Sequence, residues 1–195
     1  MRRLIVQEFV TVDGYVAAAD GALDFTPGPG GPTPADPQLE RDQLRFLDDV
    51  DTMLLGRATY QMFADYWPTP KSAGEPIADR LNALARVVVS RTLDRAPWGA
   101  HGEATVVRDG AAAVAALKRG PGRGIVLWGS PTLVQALFGA GLVDECRLWV
   151  CPSVLGTGKA LFAAAGGRRH MRLLDTTSYA SGVVQLRYAP SGVPA

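Results

Sequence analysis

The chain has 195 residues, 47% of them apolar and 20% charged, with a net charge of +1. That length holds a sizeable core in one domain, and so small a charge excludes binding of nucleic acid or an anionic membrane through a whole-protein field. No stretch approaches the roughly 18 apolar residues of a membrane span, Gln7 and Glu8 break the first apolar run too early for a secretory signal, and the two cysteines and two histidines fit no zinc spacing.

Leu4 to Val10 reads as a first strand that leaves through the turn Thr11-Val12-Asp13-Gly14-Tyr15, since Asp-Gly favours positive φ. Residues 26 to 37 hold five prolines and three glycines. That composition excludes regular structure and reads either as a lid-like loop or as a plain surface loop. Asp36-Pro37 then supplies an N-cap and a first-turn proline for an amphipathic helix over 37 to 50. A strand at 52 to 56, a helix at 57 to 65, a short helix near 76 to 84 and a strand at 86 to 90 follow. The pattern continues with a short strand at 104 to 107, a helix at 111 to 118 and a strand at 125 to 128. Ser130 and Pro131 are placed to cap and open the next helix. Alternation over 145 to 152 reads as a half-exposed strand with Arg147 and Trp149 outward, which predicts a homodimer surface there. Residues 172 to 179 and 183 to 188 read as an antiparallel hairpin. The fold class expected is α/β: a mixed, mainly parallel sheet with helices on both faces and a C-terminal antiparallel β-hairpin. Residues 1 to 190 are expected to form one domain, with 191 to 195 as a tail.

Three apolar runs end alike. Met53-Leu54-Leu55 opens into Gly56-Arg57-Ala58-Thr59, Val87-Val88-Val89 into Ser90-Arg91, and Ile125-Val126-Leu127-Trp128 into Gly129-Ser130-Pro131-Thr132. In an open α/β sheet, ligands bind beyond the carboxyl ends of the strands. Arg forks and free helix N-terminal N–H groups at such ends suit phosphates. A nucleotide cofactor with several phosphates is expected.

Common motifs fail. Gly156-Thr157-Gly158-Lys159 lacks the early glycine and the hydroxyl residue of a phosphate loop, where Ser153 and Ala160 stand. No G-x-G-x-x-G follows the first strand and no G-x-S-x-G occurs.

The blocks from Thr11 to Tyr15, Asp51 to Tyr60, Val88 to Leu93, Trp128 to Leu133, Gly141 to Glu145 and Pro152 to Gly158, in this order, resemble the reductase family formed by the C-terminal domain of the riboflavin-biosynthesis deaminase-reductase. That family shares the dihydrofolate reductase fold. The resemblance implies a homodimeric, NADPH-dependent oxidoreductase acting on a pyrimidine, pterin or similar small heterocycle; a cytoplasmic location is the default expectation from the sequence without a signal or membrane span. It implies that Gly56, Arg57 and Thr59 face the cofactor phosphates, that Ser90 and Arg91 take the adenosine ribose and its 2′-phosphate, and that Gly129, Ser130, Thr132 and Leu133 lie under the pyrophosphate. Arg forks near a ribose favour NADPH over NADH.

Hydride transfer needs no protein nucleophile, but a proton must reach the heteroatom beside the reduced carbon. Asp13 is the first candidate for catalysis and substrate contact, with plain turn chemistry as its other reading. Glu40 is the second, by resemblance to the acid that grips the pterin in dihydrofolate reductases, with a solvated helix face as its other reading. Trp67 and Trp128 are candidates to wall a flat ring, or to be core. The chain departs from the riboflavin reductase in placing Trp128 and Ser130 where that enzyme commonly has glutamate and glycine, and it shows no deaminase zinc motif. The alternative reading is a non-catalytic nucleotide-binding or assembly domain.

Overall fold

The computed structural model describes residues 1–28, 31–162 and 168–191. The centre of the proline-rich segment and most of the tail thus lie outside the described residues. In chain order the elements are β1 (Leu4–Thr11), β2 (Tyr15–Ala17), α1 (Pro37–Phe46), β3 (Val50–Gly56), α2 (Arg57–Ala64), α3 (Ala78–Ala83), β4 (Ala85–Val89) and β5 (Thr105–Val107). They continue with α4 (Gly110–Arg119), β6 (Gly124–Trp128), α5 (Pro131–Gly139), β7 (Glu145–Cys151), β8 (Lys159–Ala160), β9 (Met171–Ser178) and β10 (Val184–Pro190). Eight strands form one sheet in the order β5-β4-β3-β6-β1-β7-β10-β9. Its first six are parallel to their neighbours, and β10 and β9 run antiparallel.

Alternation along the central strands sends successive side chains to opposite faces. Leu4, Val6 and Val10 of β1 pack with Val114, Val134 and Leu137 of α4 and α5. Ile5 packs with Phe46, Tyr60 and Leu81, on the side of α1, α2 and α3. Both faces are therefore dry, which is why β3 and β6 read as unbroken apolar runs. Each fully buried aliphatic side chain stabilises the fold by roughly 1.5–3 kcal/mol.

The amino ends of the strands are closed by charge. Arg2 pairs with Asp51 and donates to Thr52 Oγ1 at 2.7 Å. Lys118 reaches Asp144 at 2.5 Å, and Asp144 also accepts from the Leu4 N–H at 2.7 Å. Glu145, fully buried, is ringed by Arg3, Arg147 and Arg187. Burial would raise its carboxyl, but the Arg187 hydrogen bond and the charges of Arg147, Arg187 and Arg3 hold it below the usual range.

Several local expectations are corrected. α1 stops at Phe46 because Val50 already begins β3. Asp36 does cap α1, accepting from Gln38 and Leu39 N–H, and its other oxygen takes the Ser181 N–H at 2.9 Å, tying the hairpin turn to the helix. Trp149 and Arg147 do not face solvent: they are 1% and 8% exposed. β7 is not an edge, since β10 and β9 extend the sheet beyond it. The Trp149 ring lies 4.7 Å from that of Phe9, and the Arg147 guanidinium sits over Phe46 at 4.2 Å. The surface from which a homodimer was expected is thus interior. β2 and β8, which the sequence does not announce, form a separate two-stranded ribbon beside the Asp13 turn.

Candidate functional site

One large cleft, about 1780 Å³, opens over the carboxyl ends of β1, β3, β4 and β6. It has two halves, one built around the starts of α2 and α5 and one against α1.

The first half follows from two strand-to-helix turns that touch. β3 ends at Gly56, which is the N-cap of α2, and β6 runs through Trp128 into Gly129 and Ser130 before α5. Gly129 and Ser130 have φ of +62° and +54°. Both therefore lie in the left-handed region, and Ser130 does so without glycine's freedom. Ser130 is the N-cap residue by position, yet its hydroxyl caps nothing. It meets the Thr59 hydroxyl of α2 at 3.0 Å instead. Added Cβ atoms show how close the turns are: one on Gly56 would strike Ser130 Oγ, and one on Gly129 would strike Thr59 Oγ1. Two helix N-termini thus converge at one place, each with unpaired backbone donors and a positive dipole end. A diphosphate fits such a cradle.

At the end of β4 the Ser90 hydroxyl accepts from the Thr92 and Leu93 N–H groups at 3.2 and 3.0 Å, which fixes a tight turn. Arg108 braces that turn, donating to the carbonyls of Ser90 and Leu93 at 2.8 and 2.7 Å and pairing with Asp94. Arg57 reaches over to Thr92 Oγ1 at 3.4 Å. Arg57 and Arg91 are both exposed and both line the cleft. Two guanidinium forks beside a serine turn are a fit for a phosphorylated ribose.

Thr132 and Leu133 line the cleft from the first turn of α5. Every residue named from the sequence for the cofactor therefore lines this one cleft: Gly56, Arg57, Thr59, Ser90, Arg91, Gly129, Ser130, Thr132 and Leu133. The second half is walled by Phe9, Trp149, Phe63, Trp67 and Trp128, with Leu39, Glu40 and Gln43 of α1 on its rim. Phe63 sits between the two tryptophans, 6.1 Å from Trp67 and 5.9 Å from Trp128. Glu40 is exposed there.

Asp13 is not brought to the cleft. Its carboxylate accepts from Thr11 Oγ1 at 2.6 Å and from the Leu155 and Gly156 N–H groups at 3.2 and 2.7 Å. The Thr11 bond and those backbone donors hold its pKa below the usual value. Asp13 is a staple between two turns, so its expected place as a substrate contact is withdrawn.

What the sequence reading missed is Glu8. It lines the cleft from the carboxyl half of β1, its Oε1 is shut off from solvent without a hydrogen-bond partner, and burial lifts its pKa to about 8 against the opposing pull of the Gly129 N–H. Gln7 Oε1 and Trp149 Nε1, both in cleft-lining residues, are likewise buried and unpartnered. Buried polar atoms are normally paired. Among the described residues, three such unpartnered atoms belong to residues that line this cleft; the other two are Arg86 Nε and Ser181 Oγ. Gln7 and Glu8 stand in the middle of β1, and only the neighbouring strands show that they are covered.

Comparison with known proteins agrees with this geometry. The model of the RibD C-terminal domain family matches residues 2–185. The uncharacterized protein YyaP of Bacillus subtilis (strain 168) is 30% identical over 194 residues, covering 98% of this chain and 96% of its own. Among solved structures, a protein of Shewanella sp. PV-4 named for riboflavin biosynthesis has a TM-score of 0.74 at 20% identity, covering 97% of this chain and 99% of that one. Dihydrofolate reductase from Enterococcus faecalis, in a complex with NADP(H), has a TM-score of 0.60 at 14% identity, covering 97% and 96%.

Proposed function

The chain belongs to the RibD C-terminal domain family, and on that premise we propose that it is an NADPH-dependent reductase of a small flat heterocycle, with residues 1–190 acting as one domain. The observation that carries this reading is the convergence of Gly56, Thr59, Gly129 and Ser130 with the Ser90-Arg91 turn in one cleft. NADPH, when bound, would supply the hydride.

The chain's own residues would do the rest. The α2 and α5 N-termini would hold the diphosphate by backbone N–H groups, and the Gly56 and Gly129 turns let those backbones come close. Arg57 and Arg91 would hold the ribose 2′-phosphate. Phe63, Trp67 and Trp128 would hold the ring of the substrate by stacking and keep water from it. Glu40, on the rim of the same half, would be the acid that meets polar edges of that ring.

The test has two arms. Calorimetric titration with NADPH should give a saturable heat and a raised melting temperature, and no heat with no melting shift would remove the cofactor and with it the proposal. Loss of NADPH absorbance with a panel of dihydropterins and aminopyrimidines then separates an enzyme from a domain that only binds.

A further inference from the structure

We propose that the side chain of Glu8 is the point at which this cleft recognises a primary carboxamide, that of the cofactor's nicotinamide ring. The inference rests on the dinucleotide reading above and adds to it a residue and a contact.

The order of strands along the sheet edge leads to this place. The sugar-phosphate candidates Ser90 and Arg91 follow β4, the diphosphate candidates follow β3 and β6, and the next strand in the sheet is β1. β4 and β1 are three strand spacings apart, roughly 14 Å. A dinucleotide anchored at one end by the β4 turn and in its middle by Gly56 and Gly129 reaches β1 with its other end. Gln7 of β1 pairs with Trp128 of β6, so Glu8 stands beside Gly129. Glu8 shares the face of Val6 and Val10, the α5 face, on which Ser130 and Pro131 begin their helix. Gln7 points to the other face, towards the aromatic half.

The chemistry matches the place. Glu8 Oε1 is buried in the cleft and bonded to nothing. Burial favours the neutral carboxyl, with a pKa near 8. A neutral carboxyl offers one O–H donor and one carbonyl acceptor side by side. A primary carboxamide offers the complement, a carbonyl and an N–H. The two close a pair of hydrogen bonds, and an orphaned buried oxygen gains the partner it lacks.

The test is a set of binding measurements near neutral pH that involve no turnover. Three ligands are titrated: NADP⁺, 2′-phospho-ADP-ribose, which lacks the ring, and the 3-acetylpyridine analogue of NADP⁺, whose ketone lacks the amide N–H. Glu8→Leu should weaken NADP⁺ by about tenfold, the size of one or two hydrogen bonds lost inside a cleft, and leave 2′-phospho-ADP-ribose unchanged. Glu8→Gln, which keeps a donor and an acceptor, should hold NADP⁺ to within about threefold of the unsubstituted protein. The unsubstituted protein should prefer NADP⁺ over the ketone analogue, and Glu8→Leu should erase that preference. Equal weakening of all three ligands, or no weakening of any, overturns the proposal while leaving the dinucleotide reading standing. Failure of 2′-phospho-ADP-ribose to bind the unsubstituted protein overturns the dinucleotide reading itself, and the Glu8 contact with it.

Discussion

The hydroxyls of Thr59 and Ser130, 71 residues apart in the chain, meet at 3.0 Å and join the first turns of α2 and α5. The bond exists because both flanking glycines lack a Cβ that would fill the same space. Replacing Gly129 tests this. Alanine there must adopt φ near +62° and push against Thr59. The left-handed backbone alone costs about 1–2 kcal/mol, and the displaced Thr59 adds to it. Gly129→Ala should lower the melting temperature and weaken NADPH together. Gly139→Ala is the control, since a Cβ there meets nothing within 4 Å, and it should leave both unchanged or gain slightly.

Arg57 and Arg91 should act on the ribose phosphate rather than on the fold, because both are exposed. Arg91→Ala should weaken NADPH by roughly 1.5–3 kcal/mol, the range for a charged hydrogen bond, and leave NADH nearly unchanged. Arg57→Ala should do the same less cleanly, since its guanidinium also reaches Thr92. Paired NADPH and NADH titrations read the difference. Equal losses for the two cofactors would take the arginines away from the 2′-phosphate.

The half of the cleft proposed for the cofactor was legible in the sequence because its residues lie at strand ends, where a buried apolar run gives way to Gly, Ser and Arg. The half proposed for the substrate was less so. Trp149 looked exposed because period-2 alternation does not tell a half-solvated strand from one with both faces covered, and only the placement of β10 and α1 decides that. Asp13 looked functional because Asp-Gly turns serve both structure and chemistry. Its partners Leu155 and Gly156 lie 142 and 143 residues away, beyond any local pattern. Glu8 was passed over for the opposite reason: a carboxylate within a strand reads as solvent-facing until the neighbouring strands are known.

Asp13 as a staple has its own consequence. Asp13→Ala should free the Leu155 and Gly156 amides, and hydrogen exchange at those two positions should rise well above that of β1 and β7. NADPH affinity should stay the same. Unchanged exchange at both amides would mean that the turn holds without the carboxylate.

Glu145 closes the sheet at its amino end, and three arginines depend on it. Removing one partner of a buried ion cluster costs about 3–5 kcal/mol, so Glu145→Ala should unfold in far less denaturant. Its carboxyl is held low, so its contribution is full above the unfolded value near 4.5 and is lost as pH falls through the folded one. Glu145→Ala should therefore show a shallower acid limb in a plot of melting temperature against pH.

Glu8 predicts the reverse slope in a different window. Its carboxyl titrates near 8 in the fold and near 4.5 when unfolded. Between those values the folded chain binds the extra proton, so stability is full below about 4.5 and declines as pH rises through about 8. The total is on the order of a few kcal/mol, since holding one extra proton across a single pH unit is worth about 1.4 kcal/mol. The Cys146 thiol of β7 feels the charge of Glu8 and is itself pushed up to about 12, chiefly by burial. The Glu8→Gln variant isolates the part of the slope that belongs to Glu8. Glu8→Gln keeps the shape and removes the titration, and its melting temperature should stay nearly level from pH 5 to 8 where that of the unsubstituted protein falls. Bound NADP⁺ sharpens the test. If the carboxyl donates to the cofactor's amide, the ligand holds the proton on, and its affinity should fall as pH climbs past about 8. The same titration in Glu8→Gln should show no such fall.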